Sequence, residues 1–499
     1  MNTDAQSTPT DPTPAAEITA DVIVLGGGPV GENIAQYATE GTDLTAVIVE
    51  SELVGGECSY YACIPSKSLL RPLAVADTAA HLPGVTSPEL DREALLARRD
   101  TWVSHYDDAG QVEWVEGAGM QLVRGHGRIV GEREVLVESA DGSTTTRVHA
   151  RRAVVLATGS EAVLPGPLRE LLPWTSRDAT GVREVPGELV IVGGGVVAVE
   201  AATWMAALGS QVRLLVRGAA LLTGAEPFAG THVRDALRAA GVDVQFGASV
   251  IGGEREHAEA TGRGRLHGGR VTLQVEDTGG RREVSADEVL AATGRRPRLG
   301  DVGLQTVGLT PEDITGAETG PSDDATGAPL PEWLHVVGDA GGEAPLTHWG
   351  KYRARVIGQA IRAGVTGEAL EPVPEYVPVP QVVFTDPQVT SVGLTEKSAR
   401  EAGHEVITAQ VPFGGAAGSS LLRDDATGTA QLVVDRAART LLGATFVGPE
   451  ASEMIHAATI AIVGQVPVHV LRHAVPSFPT ASELWLQLLE SLPVELRSA

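Results

Sequence analysis

Short apolar runs that lead directly into glycine-rich turns divide the first half of the chain into repeated units. Asp21–Leu25 is followed by the turn GGGPVG, and Glu188–Val192 is followed by the turn GGGVVA. A short apolar run bounded by a turn predicts a buried strand, and the turn predicts the start of a helix. Further apolar runs at 45–49 and 212–216 predict a second strand after each helix. This pattern indicates two strand–turn–helix–strand units with parallel strands.

Both turns have the spacing of a dinucleotide-binding loop. The first fits G-x-G-x-x-G and the second G-x-G-x-x-A, with fixed positions at Gly26, Gly28, Gly31, Gly193, Gly195 and Ala198. Such glycines let the backbone approach a pyrophosphate at the helix N-terminus, and an acid that ends the second strand, here Glu50, can accept hydrogen bonds from a ribose diol. Two such units predict two bound dinucleotides. A single split domain that holds one cofactor is the alternative.

Three more strand-like runs end in glycine or polar residues. Two of them run into Ala-Thr-Gly, in VVLATGS at 154–160 and VLAATGR at 289–295. The third, Leu334–Val337, is followed by Gly338 and Asp339. Open α/β sheets bind ligands at the carboxyl ends of their strands, so these residues are candidates for cofactor contacts.

The sequence pattern of the chain changes near residue 370. A proline-rich linker is expected at Pro372, Pro374, Pro378 and Pro380. Beyond it, the strand-like stretches QVVFT, TAQLVVD and LLGATFVG mix with predicted helices at Ala451–Ile462 and Ser482–Leu489. This mixture predicts an α+β domain of about 130 residues.

Composition and charge exclude several classes of protein. The 499 residues carry 38 Lys and Arg against 64 Asp and Glu, a formal charge of −26, which disfavours nucleic acid and anionic membranes as partners. No apolar run approaches the roughly 20 residues of a membrane span. Residues 1–18 contain neither Lys nor Arg and no apolar stretch, so they resemble no export signal and predict a disordered acidic tail. A cytoplasmic protein is expected.

The chain has two cysteines, Cys58 and Cys63, which excludes a disulfide scaffold and a four-cysteine zinc site. In a regular helix, residues five apart are separated by ~7.5 Å along the axis and ~140° around it. A disulfide needs Cα atoms about 4.4–6.8 Å apart, so the pair can bridge only where the helix start is distorted. A helix N-terminus and Lys67 would favour the thiolate. Redox chemistry is therefore favoured over two inert cysteines, and no metal site is expected.

The segment that holds the cysteines, GGECSYYACIPSK at 55–67, resembles the G-G-x-C-x-x-x-x-C-I-P-S-K motif of the pyridine-nucleotide disulfide oxidoreductases. That family includes dihydrolipoyl dehydrogenases, glutathione-type reductases and mercuric reductases. The resemblance covers residues 19–490. It includes, in order, GGGPVG, ATGS, GGGVVAVE, ATGRRPR, the Gly338–Asp339 pair, FTDPQVTSVGLTE at 384–396 and PTASE at 479–483.

The resemblance implies FAD on the first unit and a nicotinamide nucleotide on the second. By position, Cys63 is the thiol that contacts the flavin and Cys58 is the thiol that meets the substrate. Lys67 and Glu200 pair beside the flavin N5, and Glu483 lies in the C-terminal domain, which builds a homodimer whose partner chain completes each site. The implied cofactor contacts are Gly26, Gly28, Pro29, Gly31, Glu50, Gly56, Lys67, Thr158, Gly159, Gly193, Gly195, Val196, Val197, Glu200, Arg217, Gly294, Gly338 and Asp339.

The expected fold class is therefore α/β, with two Rossmann-like dinucleotide-binding domains and a C-terminal α+β dimerisation domain. The FAD-binding domain is expected at 19–165 and 293–368. The NAD(P)-binding domain is expected at 166–292, and the dimerisation domain at 369–499.

The residues at the end of the second unit's second strand favour NADPH over NADH. An acid there would bond the 2′-hydroxyl of NADH, whereas a basic residue would pair with the 2′-phosphate of NADPH. Val216 occupies the position of the acid, and Arg217 follows it. A second arginine that many NADPH users carry is replaced by Thr223.

Two positions depart from the family pattern. Members that reduce disulfides carry a His-Pro pair before T-x-S-E, and that His moves the thiol proton, but Phe478 occupies its place here. His473 and His469 do not align with it. Many members also carry a Tyr where Val196 stands, which predicts a more open nicotinamide pocket.

The missing His concerns the transfer of electrons to the final acceptor, because a leaving thiolate must be protonated. A small acceptor that needs no proton relay is therefore expected: a quinone, an electrophile, a metal ion or an unusual disulfide. Efficient mercury reduction is disfavoured because no cysteine follows Cys63. The alternatives are a dihydrolipoyl-dehydrogenase-like enzyme whose base comes from elsewhere, and a non-catalytic redox sensor that binds FAD and nucleotide.

Overall fold

The computed structural model describes residues 16–86, 88–315, 330–374 and 376–498. The chain divides into two compact units. Among the described residues, the first contains 16–60, 106–161, 296–315 and 330–372, and the second contains 61–86, 88–105, 162–295, 373–374 and 376–498. No helix in the described part of the chain is both long and apolar enough to cross a membrane.

The first unit is built on a seven-stranded sheet. In spatial order its main path is Gln121–Arg124, Ala46–Glu50, Ala16–Leu25, Thr145–Leu156, Glu134–Glu138 and His126–Gly131, with Leu334–Val336 also paired to Thr145–Leu156. The pairs among the first four strands and the pair made by Leu334–Val336 are parallel, whereas the last two pairs are antiparallel. The helices are Pro29–Thr39, Gly56–Tyr60, Ala109–Gly117, Pro311–Thr315 and Thr347–Thr366.

The central strand of this sheet is longer than the sequence pattern predicts. It begins at Ala16, because residues 16–20 pair in parallel with 146–150. The predicted disordered tail is therefore wrong for residues 16–18, and its residues 1–15 lie outside the described part of the chain. The strand from Val22 to Leu25 is fully buried on both faces, as expected for a parallel strand between layers of helices.

The second unit contains a four-stranded parallel sheet in the order Asp243–Phe246, Gln211–Val216, Glu188–Val192 and Glu288–Ala291. A separate antiparallel sheet follows, formed by Ser249–Arg255, Val271–Asp277 and Gly280–Ala286. The helices of this part are Cys63–Ala80, Arg92–Trp102, Gly166–Arg169, Ser176–Thr180, Val196–Ala207 and Pro227–Ala239.

The C-terminal part of the second unit is a five-stranded antiparallel sheet with helices. Its strand order is Gln381–Val383, Gln388–Gly393, Leu441–Gly448, Thr429–Asp435 and Val406–Pro412. Its helices are Glu396–Glu401, Ala417–Ser420, Ile455–Val463, Val468–Leu471, Glu483–Ser491 and Val494–Arg497. The predicted helix at 451–462 is a 3-10 turn at Ala451–Met454 followed by the helix Ile455–Val463. The predicted α/β fold with a C-terminal α+β domain is confirmed.

Candidate functional site

The first glycine-rich turn connects the strand Ala16–Leu25 to the helix Pro29–Thr39. Gly26 has a φ of +108°, and a Cβ added there would lie 2.3 Å from the carbonyl oxygen of Ala157. Only glycine tolerates both conditions, because a larger residue is strained at this φ and collides with backbone. The turn therefore presents bare backbone at the start of a helix, the arrangement that binds phosphates.

Glu50 ends the neighbouring strand and supports this turn. One carboxylate oxygen accepts the Gly27 N–H at 2.7 Å, and the other accepts the Glu52 N–H at 2.6 Å. Burial raises the pKa of Glu50, and these two N–H groups oppose that effect. An acceptor thus lies beside the turn, where a ribose would approach.

Several other predicted contacts of the first unit lie at strand ends. Asp339 is in the 3-10 turn Gly338–Gly341, and its carboxylate accepts the hydroxyl of Ser160. The Thr158 hydroxyl donates to the Arg298 carbonyl at 2.8 Å, and the Gly159 carbonyl accepts the Arg298 N–H at 2.9 Å.

Two further features adjoin the first turn. A Cβ at Gly56 would come within 2.7 Å of Gly28 Cα, so the cysteine motif begins against the turn itself. Glu32, in the first turn of the helix, is buried with one carboxylate oxygen that lacks a hydrogen-bond partner. Burial raises the pKa of Glu32 to about 7.

The second glycine-rich turn repeats the first. Gly193 has a φ of +140°, and its added Cβ would lie 2.2 Å from the carbonyl oxygen of Ala292. The turn opens onto a pocket at the start of the helix Val196–Ala207. The lining residues are Ala162, Ser176, Gly195, Val196, Val197, Ala291, Ala292, Gly294 and Arg295. Of these, Gly195, Val196, Val197 and Gly294 are predicted cofactor contacts, whereas Ser176 and Arg295 carry no signal in the turn motif.

Arg217 directly follows the strand Gln211–Val216 and is exposed. Thr223 is exposed as well. Val216, which occupies the place of an acid, is buried.

Lys67 and Glu200 form an ion pair inside the second compact unit of the fold. Lys67 Nζ lies 2.8 and 3.1 Å from the two oxygens of Glu200, whose carboxylate is almost fully buried. Lys67 comes from the helix Cys63–Ala80 and Glu200 from the helix Val196–Ala207. The predicted pair is therefore assembled, and it joins the helix of Cys63 to the helix at the pocket.

The backbone around the two cysteines is interrupted. Cys58 lies in the helix Gly56–Tyr60, and Cys63 is the first residue of the next helix. Ala62, between them, has φ −132° and ψ −88°, which no α-helix adopts. The backbone between the two cysteines is therefore not a regular helix. Both side chains are half-buried.

The segment that departs from the family pattern is exposed. Phe478 is 76% exposed, so its ring contributes little to the core of this chain. Glu483 begins the helix Glu483–Ser491 and accepts the Gly418 N–H at 3.3 Å. No group of three or more His, Cys, Asp or Glu side chains within the described ranges could hold a metal ion.

Comparison with known proteins agrees with this geometry. Residues 20–315 match the model of the pyridine nucleotide-disulphide oxidoreductases, and residues 379–488 match the dimerisation domain of that family. The chain belongs to the pyridine nucleotide-disulphide oxidoreductase family. Family membership implies FAD and a pyridine nucleotide as cofactors, and the dimerisation domain suggests a homodimer.

Related sequences and structures cover nearly the whole chain. A dihydrolipoyl dehydrogenase from Thermus scotoductus is 31% identical over 485 residues, which cover 95% of this chain and 97% of the relative. One from Haloferax volcanii is 31% identical over 94% of this chain and 96% of the relative. Two similar structures show the same fold at 21% identity and a TM-score of 0.76: a Cu(II) complex of the HOCl-induced flavoprotein disulfide reductase RclA from Escherichia coli and LpdA from Mycobacterium tuberculosis. Each covers 95% of this chain, which covers 100% and 99% of theirs.

The residues of the first unit fit the FAD that the family implies. The bare backbone at Gly26 suits a pyrophosphate, the Glu50 carboxylate suits a ribose, and Asp339 offers an acceptor at a strand end. The buried Glu32 oxygen without a partner indicates a polar group still to be satisfied nearby.

Sequence reasoning missed residues that contact the predicted site. Ser160 bonds to Asp339, and Phe384 contacts both members of the Lys67–Glu200 pair. Each lies within a segment that carries the family resemblance, ATGS and FTDPQVTSVGLTE. The motifs marked these segments, but spacing along the chain could not show what they contact.

Proposed function

We propose that this protein is an NADPH-preferring flavoprotein reductase that works through a redox-active pair, Cys58 and Cys63. Bound FAD would supply the chemistry that takes a hydride from NADPH and delivers two electrons to the cysteine disulfide. In balance, NADPH, a proton and the disulfide give NADP⁺ and two thiols, and the thiols then pass two electrons to a small acceptor.

The Lys67–Glu200 pair is the observation that carries this proposal. Glu200 lies one turn along the helix from Val196 and Val197, which line the nucleotide pocket. Lys67 lies one turn along the helix from Cys63. A buried carboxylate is retained at low cost only when it is paired, so this contact keeps a positive charge between the pocket and the helix of Cys63. If bound FAD places its flavin ring beside Lys67, this cation would favour arrival of a hydride at that ring.

Arg217 supports the preference for NADPH. Its guanidinium is exposed beyond the strand that ends at the buried Val216, and no carboxylate occupies that strand end. Guanidinium binds phosphate through paired N–H groups, whereas a ribose diol is selected by an acid.

The exposed Phe478 supports an acceptor that needs no proton relay. A phenyl ring can transfer no proton, and the nearby Glu483 accepts a backbone N–H instead of an imidazole. A quinone or a thiol-reactive electrophile suits an apolar surface of this kind.

The C-terminal domain exposes further apolar side chains, Ile460, Val470 and Val475, which supports a homodimer.

A dihydrolipoyl-dehydrogenase-like activity is the second candidate. It is favoured by relatives of that name that are 31% identical over nearly the full chain. It would require Glu483 or water to move the thiol proton. Reduction of lipoamide at a rate comparable with that of quinones would favour this candidate.

The deciding experiment is an anaerobic titration of the purified holoenzyme with NADPH, followed by visible absorbance. Wild type should develop a long-wavelength absorption band after two electrons, from a thiolate beside oxidised flavin. Cys63→Ser should lose the band, because Cys63 is the thiol assigned to the flavin. Cys58→Ser leaves that thiol in place and should show the band before any NADPH is added.

Direct bleaching of the wild-type flavin with no such band would remove the cysteines from the electron path. The protein would then be a flavin-level reductase. Absence of any reaction with NADPH or NADH would overturn the proposed enzyme activity altogether.

A further inference from the structure

Phe384 contacts both members of the Lys67–Glu200 pair. It follows the strand Gln381–Val383 and opens the segment FTDPQVTSVGLTE, to which the proposed function assigns no role. Its backbone N–H donates to Glu200 Oε1 at 2.9 Å. Its ring centroid lies 4.8 Å from Lys67 Nζ.

The two contacts act on opposite charges. An ammonium within about 6 Å of an aromatic centroid is attracted by the face of the ring. The N–H supplies a donor to a carboxylate that is almost fully buried, where a lost hydrogen bond is not replaced by water. One residue thus orients the carboxylate through its backbone and the ammonium through its side chain.

The segment that carries Phe384 is itself held in place. The buried Thr385 hydroxyl donates to the Pro387 carbonyl at 2.8 Å. Asp386 accepts a hydrogen bond from Arg423 at 3.0 Å, and Arg423 also pairs with Asp77. Asp77 belongs to the same helix as Lys67, Cys63–Ala80. The segment is therefore fastened to that helix at two places, through the Phe384 ring and through Arg423.

The Phe384 ring restricts the positions that the Lys67 ammonium can occupy. The Lys67 side chain is 35% exposed, and a lysine has four rotatable bonds, so the ion pair alone would allow several ammonium positions. Ser66 adds a hydroxyl 3.2 Å from Nζ. The Phe384 ring adds a further contact to the ammonium and narrows the range of positions open to it.

We propose that Phe384 is a positioning residue that holds the Lys67–Glu200 pair in the geometry needed for hydride arrival. This inference rests on the proposed function for its consequence, but the positioning itself can be tested separately. Because Phe384 belongs to the C-terminal domain, this domain would influence the reaction within its own subunit, in addition to any contribution from a partner subunit.

The chain offers a direct test because it has only three lysines, Lys67, Lys351 and Lys397. Acetic anhydride acetylates the neutral amine and releases acetate, so a contact that favours the ammonium slows the reaction. Lys397 is 83% exposed and serves as an internal reference. Competitive labelling of the holoenzyme, read by mass spectrometry, gives the rate at Lys67 relative to Lys397.

Phe384→Leu should raise the relative labelling rate of Lys67 about three- to tenfold near neutral pH, because the ring is lost. At alkaline pH, where most amines are neutral, the rates should converge. Greater exposure alone would raise the rate at every pH. Phe384→Tyr keeps a ring and should label within about twofold of wild type. Phe228→Leu, the same change at another half-buried phenylalanine, should leave the ratio unchanged.

Equal labelling of wild type and Phe384→Leu would overturn the proposal, as would a Phe384→Tyr variant that behaves like Phe384→Leu. If Phe384→Leu does not fold, Phe384→Trp keeps the question open to test. Its larger π-face should slow the labelling of Lys67 below the wild-type rate, and a faster rate would overturn the proposal.

Stopped-flow reduction of the flavin by NADPH tests the consequence. Phe384→Leu should lower the limiting rate about tenfold with little change in the NADPH concentration that gives half of it, and Phe384→Tyr should restore the rate. If Phe384→Leu alters the labelling of Lys67 but leaves the rate of flavin reduction unchanged, the proposed link between Phe384 and the reaction is overturned. If wild-type flavin is not reduced at all, the proposed function fails, whereas the labelling result still decides whether Phe384 positions Lys67.

Discussion

The two glycine-rich turns of this chain share one backbone device and differ in the side chains around it. In each, the first glycine has a positive φ and lies against the alanine carbonyl of an Ala-Thr-Gly segment. Gly26 meets Ala157 and Gly193 meets Ala292, at virtual Cβ distances of 2.3 and 2.2 Å. The same close contact between a glycine and an alanine carbonyl therefore occurs in both turns, and in each it leaves the backbone at the start of a helix uncovered by side chains.

The side chains beside the turns follow different chemistry. The strand that follows the first turn and its helix ends in Glu50, which accepts the Gly27 N–H of the turn. The corresponding strand after the second turn ends in Val216, and Arg217 follows it. After the turn, the first helix buries Glu32, and the corresponding position of the second helix is the buried Val199. Under the proposed function, the shared backbone geometry provides a place for a dinucleotide, and these few side chains select which one binds.

The strongest test of this comparison exchanges the first glycine of each turn for alanine. Gly26→Ala should reduce bound FAD at least tenfold, because the Cβ collides with backbone at a strained φ. Gly193→Ala should keep FAD and lose nucleotide binding. The flavin-to-protein absorbance ratio and a nucleotide titration measure the two effects. Gly110→Ala, where a Cβ meets nothing within 4 Å, is the control. Loss of FAD from both variants would contradict the separate roles.

A change at Arg217 should alter the choice of nucleotide. Arg217→Glu should lower the kcat/KM ratio of NADPH to NADH about a hundredfold, because a phosphate partner becomes an acid that repels it. Steady-state kinetics with both nucleotides measures this. Arg213→Ala removes a half-buried arginine on the preceding strand, which pairs with Asp243, and should leave the ratio within about twofold. An unchanged ratio in Arg217→Glu would refute the proposed preference.

A smaller effect is expected at Glu50. Glu50→Gln keeps the shape but exchanges a charged acceptor for a neutral one, and its amide would face the N–H groups of Gly27 or Glu52. FAD affinity should fall about tenfold, consistent with the loss of one charge-assisted hydrogen bond. Equilibrium dialysis of the apoprotein against FAD checks this. Affinity equal to wild type would mean that Glu50 only braces the turn.

The smallest effect is a pH dependence of stability from Glu32. Its folded pKa of about 7 lies above the ordinary value of 4.5, so the folded state binds an extra proton between these values. Its contribution to stability is therefore present below about pH 4.5 and is lost as the pH rises through 7. Glu32→Gln should flatten this part of the profile and raise Tm by a few degrees at pH 8 relative to wild type. If the Tm of the two proteins depends on pH in the same way, folding does not raise the pKa of Glu32.

Much of the secondary structure and of each turn could be predicted from local pattern. The strand Glu188–Val192 has the predicted bounds, and the turns at Gly26 and Gly193 open helices as expected. The central strand was predicted from Asp21 only, because AEITA is not an apolar run. Its pairing with residues 146–150, more than a hundred positions away, extends it to Ala16.

The amino-acid sequence by itself determined the two dinucleotide-binding turns, the cysteine motif and the family, because these depend on residue type at fixed short spacing. Tertiary structure alone decided which side chains from distant segments meet. Glu200 lies 133 residues from Lys67, and Phe384 lies 184 residues from Glu200, yet all three are in contact. Such contacts arise because burial of apolar faces brings helices and strands together, and this burial is a property of the whole fold.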